Sequence, residues 1–271
     1  MIRVVRGPEP AELTAKRVAK LLNAADSDVS GASVRFDGYG IAKRALFAAQ
    51  HGKCAYCERV VGYDSQPVEH FRPKGGARPA TLPNAGSDAR HYWWLAWTWE
   101  NLFFACVSCN GVNRKGNWFP LATGERLSLP DAEQLRNGAG PAFEVHREDA
   151  LLLDPAQDDA SEHLRWVPRD RRVLWERFRY VLVAVTPRGQ VTLERLGLAL
   201  LEDEVNRHVR ATLIPLLRQA NGGAWGPGHE ADLAELLSDQ APYAGASRSV
   251  FSFLCDYLAL QRGDPSLPPS S

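Results

Sequence analysis

Cys54-Ala-Tyr-Cys57-Glu58, Val68-Glu69-His70-Phe71-Arg72-Pro73-Lys74, Trp99-Glu100-Asn101-Leu102 and Ala105-Cys106-Val107-Ser108-Cys109-Asn110 follow one another in this order. Their reading decides the fold. Each C-x-x-C pair sets two thiolates at knuckle spacing, so four soft ligands can close a tetrahedral zinc site with Zn–S of about 2.3 Å. Four cysteines leave no open coordination position, which makes that zinc structural. Drawing Cys57 toward Cys106 brings Glu69 and His70, which follow the first knuckle, beside Asn110, which follows the second. A thioredoxin-like dithiol is the competing reading of a C-x-x-C pair. Two pairs 49 positions apart (57 to 106), with no βαβ pattern around them, argue against it.

A carboxylate, an imidazole and a carboxamide on such a frame suit phosphodiester hydrolysis. That reaction needs an activated water and a means of absorbing negative charge on the phosphate and the leaving oxygen. A hard divalent ion held by oxygen ligands serves the second need, and Glu69 and the Asn110 carbonyl are such oxygens. His70, with an ordinary pKa near 6.5, suits the first. Neighbouring residues on a strand point to opposite sides, so Glu69 and His70 can face one phosphate only where the strand bends or ends. Pro67 and Pro73 flank them accordingly.

With Lys115 and Phe119-Pro120 added to the quoted segments, the chain resembles the HNH endonuclease superfamily over residues 54–120. Within it, the chain is similar to the zinc-ribbon branch of retron and Septu-type antiphage systems (PtuB-like). The resemblance implies an α+β fold in which a zinc-stapled ββα-metal unit, a two-stranded hairpin followed by a helix, is embedded in a mostly helical protein. It implies His70 as general base, Glu69 and Asn110 as ligands of a catalytic Mg²⁺ or Mn²⁺, and Asn101 as the residue that orders the loop and orients the histidine. It further implies a prokaryotic defence setting with an ABC-type ATPase partner. Many members carry Asp before the histidine and His at the third position; Glu69 and Asn110 keep oxygen at both, which favours a hard ion. The 30 residues between His70 and Asn101 exceed a minimal hairpin, and Gly75, Gly76, Pro79, Pro83, Asn84 and Gly86 mark residues 75–90 as an inserted loop. Arg72, Lys74 and Lys115 are the candidate nucleic-acid contacts. Trp93, Trp94, Trp97, Trp99 and Trp118 are read as packing around the zinc unit.

Composition bounds the remainder. A chain of 271 residues can bury a sizeable core without disulfides. The paired spacing of four of its five cysteines points to metal in a reducing, cytoplasmic setting; Cys255, in an apolar run, is read as buried. The amino-terminal run is too short and too charged for a signal peptide, and no segment has the roughly 20 apolar residues of a membrane helix. Thirty-two basic and 32 acidic residues cancel. A nuclease with no overall basic field needs a local cationic patch or a partner that holds the nucleic acid, which is expected to be DNA, with RNA not excluded. Two alternatives stay open: a zinc-ribbon nucleic-acid-binding adaptor without turnover, and a stand-alone restriction-type HNH nuclease.

Apolar spacing predicts helices over 10–24 and 40–52 packing on the nuclease unit 54–120, with a helix from about Asn101 or soon after. A connector is expected over 121–142, and a mainly helical region 143–271 is a possible docking surface for a partner. Within that region, 143–153 and 180–185 read as β-like. A long helix is expected from Thr192 to about Ala220, with two more over 229–238 and 247–261. The arginine-dense segment 163–179 reads either as a binding surface or as a solvated helix face with internal ion pairs to Asp170 and Glu176.

Overall fold

The computed structural model describes residues 1, 3–78, 92–123, 126–137 and 143–261. They form two compact units. One comprises Arg3–Tyr56 and Val60–Asp158, the other Met1–Ile2, Cys57–Arg59 and Asp159–Ser271.

In the first unit, helix α1 (Ala11–Val29) turns Leu13, Leu21 and Ala24 inward. It runs past the expected end because Ser27 and Ser30 hydroxyls bond backbone carbonyls of the preceding turn, and Gly31, at φ 73°, stops it. A 3₁₀ turn (Tyr39–Ala42) leads into α2 (Lys43–Ala49). Gly52, at φ 69°, donates to the Phe47 carbonyl at 2.9 Å and delivers the chain to Cys54. Strands β1 (Val68–His70) and β2 (Leu102–Phe104) pair antiparallel, with Glu69 opposite Phe103 and His70 opposite Leu102. The helix expected from about Asn101 or soon after thus begins only at Val107, after a strand. Leu102, Phe103 and Phe104 are consecutive and all buried, a run that pairing on a sheet accommodates. A one-turn helix α3 (Val107–Asn110) follows.

The outer edge of β2 is closed by a buried side chain. The Gln50 amide donates to the Phe104 carbonyl at 2.7 Å and accepts from the Phe104 N–H at 2.8 Å, so no strand group is left bare. Around this pair Phe71, Phe103 and Phe119 meet edge to face. Trp93, Trp94, Trp97, Trp99 and Trp118 are all buried in the same unit. Of the expected inserted loop, residues 79–90 lie outside the described ones. Residues 121–142 hold α4 (Ala132–Asn137). The β-like segment 143–153 contains a 3₁₀ turn, Val145–Arg147, and reduces to one antiparallel bridge, Ala150 to Leu121.

The second unit is a hairpin with five helices. Strands β3 (Leu164–Pro168) and β4 (Tyr180–Ala184) pair antiparallel, Trp166 opposite Leu182. The arginine-dense segment is therefore a strand and turn, not a helix face, because Leu164, Trp166 and Pro168 alternate inward with period two. The long helix expected after Thr192 is cut into α5 (Pro187–Leu196), α6 (Glu202–Ala211) and α7 (Leu213–Asn221). Gly197, at φ 58°, ends α5, and Pro215, lacking an N–H, forces a new start before it. Helices α8 (Pro227–Leu236) and α9 (Ala244–Gln261) complete the unit. Its core joins Trp166, Phe178 and Tyr180 to Val205, Val209 and Val250. Buried Asn206 ties α6 to the hairpin by accepting from the Tyr180 N–H and donating to its carbonyl, both at 2.8 Å. Cys255, expected to be buried, is exposed on α9, where Val250 and Leu254 take the buried positions. No helix of the described residues is long and apolar enough to cross a membrane.

Candidate metal centre and cleft

Cys54, Cys57, Cys106 and Cys109 are all buried, and their sulfurs lie within 4.8 Å of one another. Tetrahedral zinc at 2.3 Å from each sulfur separates them by about 3.8 Å, so the cluster needs only slight contraction to close on the ion. The second knuckle is preorganised: the Cys109 N–H donates to Cys106 Sγ at 3.3 Å, and the Asn110 N–H to the Cys106 carbonyl at 3.0 Å. The four-cysteine set is suited to zinc in number, softness and burial.

A cleft of about 300 Å³ in the first unit is lined by Glu69, His70, Lys74 and Asn110, with Phe36 and Asn117 among its other walls. Four sequence-expected site residues thus share one cavity. Glu69 and His70 reach it together although they are adjacent on β1, because the strand ends at His70.

His70 is buried, and its Nε2 lies 2.9 Å from the Ala96 carbonyl. A carbonyl can only accept, so that contact puts the hydrogen on Nε2 and leaves the lone pair on Nδ1. The Tyr39 ring packs edge-on at 4.6 Å. Burial, reinforced by the charges of Lys74 and Lys115 and opposed by the Ala96 contact, pushes the imidazole pKa down to about 3. It is therefore neutral near pH 7.

Asn101 does not face the cleft. It is buried, with Oδ1 accepting from the Arg72 N–H at 2.7 Å and Nδ2 donating to the carbonyls of Arg72 at 3.0 Å and Leu95 at 3.1 Å. One side chain thereby fixes the segment leaving β1 to the turn that carries Ala96. Asn110, at the end of α3, is half-buried on the cleft wall.

Of the three expected nucleic-acid contacts, the structure turns two inward. Arg72 is 7% exposed; its Nε donates to Glu148 Oε2 at 2.7 Å and its Nη2 to the Val145 carbonyl at 2.8 Å. The other Glu148 oxygen accepts from the Tyr92 hydroxyl at 2.6 Å and the Leu127 N–H at 3.0 Å. Lys115 is fully buried, with Nζ 2.5 Å from Glu69 Oε1 and donating to the His70 carbonyl at 2.8 Å. The Glu69 contact is a close, buried ion pair. Burial pushes the Glu69 carboxyl up and the Lys115 ammonium down, each offset by the other's charge. Lys74 alone of the three lines the cleft half-exposed, its ammonium 5.0 Å from the Tyr39 ring centre.

Sequence reading missed Tyr39, Glu148 and the Ala96 carbonyl. A backbone carbonyl carries no residue signature, and Glu148 belongs to no motif. Tyr39 stands in a short turn before α2 with no periodic signal.

The chain is similar to the Septu protein PtuB of Bacillus mycoides (strain KBAB4), 32% identical over 193 residues that make up 61% of this chain and 55% of that protein. It thus spans about half the length of the curated relative it matches. No solved structure matches. No family model matches either, so the family likeness rests on this relative and on the residues gathered around the cleft and the cysteine cluster.

Proposed function

We propose that this chain is a metal-dependent HNH-type endonuclease that hydrolyses phosphodiester bonds of DNA, serving as the nuclease of a Septu-type antiphage defence system. The observation that carries the reading is His70, held neutral with its lone pair on Nδ1, in one cleft with Glu69 and Asn110. The likeness to a Septu protein supplies the defence setting, and the order β1, β2, α3 is compatible with a ββα unit. The four cysteines hold structural zinc in this reading.

His70 Nδ1 takes a proton from the attacking water. The Ala96 carbonyl keeps the ring oriented and steadies the imidazolium that forms. The oxygen donors of Glu69 and Asn110 fit a hard cation: a carboxylate and an amide carbonyl line the same cleft. A Mg²⁺ or Mn²⁺ held there would supply Lewis-acid stabilisation of charge on the phosphate and the departing oxygen. Asn101 keeps the loop in register, and Lys74 is the cation left to meet a phosphate. An ABC-type ATPase partner belongs to the same reading.

The test is plasmid cleavage with Mg²⁺ or Mn²⁺, comparing the wild-type protein with His70→Ala. Loss by about 10²–10⁴-fold is expected, the usual contribution of a general base. Near-normal cleavage by the variant would remove His70 from the reaction.

A further inference from the structure

Among the described residues that line the cleft Glu69 is the one carboxylate, and it already has a cation. Lys115 is 0% exposed and sits 2.5 Å from Glu69 Oε1. Its place is built in twice. Its own N–H donates to the Cys109 carbonyl at 3.3 Å, so the second knuckle positions the residue, and Nζ is anchored to the His70 carbonyl at 2.8 Å. Whichever partner holds the shared proton, the Glu69–Lys115 pair is neutral. Asn110 adds no charge, and Lys74 adds a positive one at the mouth. Hard divalent ions need anionic oxygen, from protein carboxylates or from substrate phosphates. A cleft whose sole carboxylate is neutralised offers little to a free cation and favours an anion.

We propose that Lys115 is a built-in counter-charge that makes the cleft take a phosphodiester before a divalent ion, so that the metal loads only with nucleic acid present. This rests on the nuclease reading and deepens it. The ion's missing negative ligand is the phosphate, and Lys115 is a positioning residue that acts through Glu69. In a defence nuclease such an order would keep the unengaged protein free of its catalytic ion.

The test is Mn²⁺ binding, followed by loss of the free-ion paramagnetic resonance signal, on the full chain with zinc in its cysteine cluster. Wild type is titrated with and without a cleavage-resistant phosphorothioate DNA oligonucleotide, beside Lys115→Met and Lys115→Gln, the latter keeping a donor for the His70 carbonyl. Wild type should bind Mn²⁺ at least about tenfold tighter with the oligonucleotide. Both variants should gain at least about tenfold in affinity without it, as removal of one nearby positive charge requires. The added Glu69→Gln change should abolish the gain. A purely structural lysine would alter the melting temperature of these variants and leave cation affinity unmoved. Equal wild-type binding with and without the oligonucleotide, sensitive to Glu69→Gln, overturns the proposal whether or not the variants fold. Folded variants without the gain overturn the role of Lys115. Absence of Mn²⁺ binding in both wild-type arms also overturns it, and plasmid cleavage by the same preparation then shows whether the nuclease reading falls too.

Discussion

Replacing Asn101 with alanine isolates the contribution of one buried amide to both fold and site. The side chain satisfies three backbone groups, the Arg72 N–H, the Arg72 carbonyl and the Leu95 carbonyl, at 2.7, 3.0 and 3.1 Å. Each buried group left without a partner costs about 1–3 kcal/mol. A water entering the vacated space can recover part of that, so a net loss of about 3 kcal/mol is expected. Urea unfolding followed by tryptophan emission measures it. Trp93, Trp94, Trp97, Trp99 and Trp118 lie in the same compact unit as Asn101, against Trp166, Trp175 and Trp225 in the other, so the signal reports mainly the affected unit. The midpoint should fall with little change in slope. Turnover at saturating nucleic acid should also drop, by about 10²-fold, because Ala96 adjoins Leu95 and a small displacement of its carbonyl releases the His70 ring. A loss below about 1 kcal/mol, with turnover unchanged, would show that the loop is held by other contacts and refute the argument.

Cys54→Ser or Cys109→Ser should lower zinc content from about one equivalent per chain and destabilise the first unit, because structural zinc contributes folding free energy directly; elemental analysis of purified protein checks both statements. Arg72→Ala should cost about 3–5 kcal/mol in urea unfolding, since it leaves Glu148 buried without its ion-pair partner. Lys74→Ala should leave stability within about 0.5 kcal/mol and weaken nucleic-acid binding, read as a shallower salt dependence. His70 makes stability pH-dependent. Its folded pKa is lowered to about 3, so between about pH 6.5 and that value the unfolded chain binds a proton that the folded chain refuses, and stability falls as pH falls by about 1.4 kcal/mol per unit. His70→Gln should flatten that slope in denaturation curves between about pH 6.5 and 4.5; an unchanged slope would show that His70 does not carry it.

The knuckle spacing made the cysteine cluster legible, because ligand geometry constrains sequence separation tightly. Glu69, His70 and Asn110 could be placed near one another through the same staple. What sequence could not show were contacts made by groups that carry no pattern. The Ala96 carbonyl that fixes the His70 tautomer is backbone. The Glu148 carboxylate that draws Arg72 inward comes 76 positions later in the chain, and nothing local to either residue announces the pairing. The helix expected from about Asn101 or soon after starts only at Val107, and the three-residue apolar run before it is ambiguous between strand and helix. The cross-strand partners Val68, Glu69 and His70 decide it. The long helix after Thr192 kept its periodicity through two breaks, since Gly197 and Pro215 interrupt the backbone without disturbing the apolar register.

The charges of the cleft bear on how such a protein would engage nucleic acid. Arg72, Lys74 and Lys115 flank the motif residues and read as phosphate ligands, yet the first is neutralised by Glu148 and the third by Glu69. Three of the six arginines of residues 163–179 are ion-paired as well. Arg169 pairs with Glu202, Arg172 with Asp170 and Arg179 with Asp203, while Arg171 lies over the Phe253 ring. These exposed pairs are weak and salt-screened, but they lower the positive field of a chain whose basic and acidic residues already balance. Non-specific affinity arises from clustered cations that displace counterions from the phosphate backbone. A chain whose cations are spent internally has little of it, which fits a nuclease whose nucleic acid is held by a partner and whose own cleft supplies positioning and chemistry.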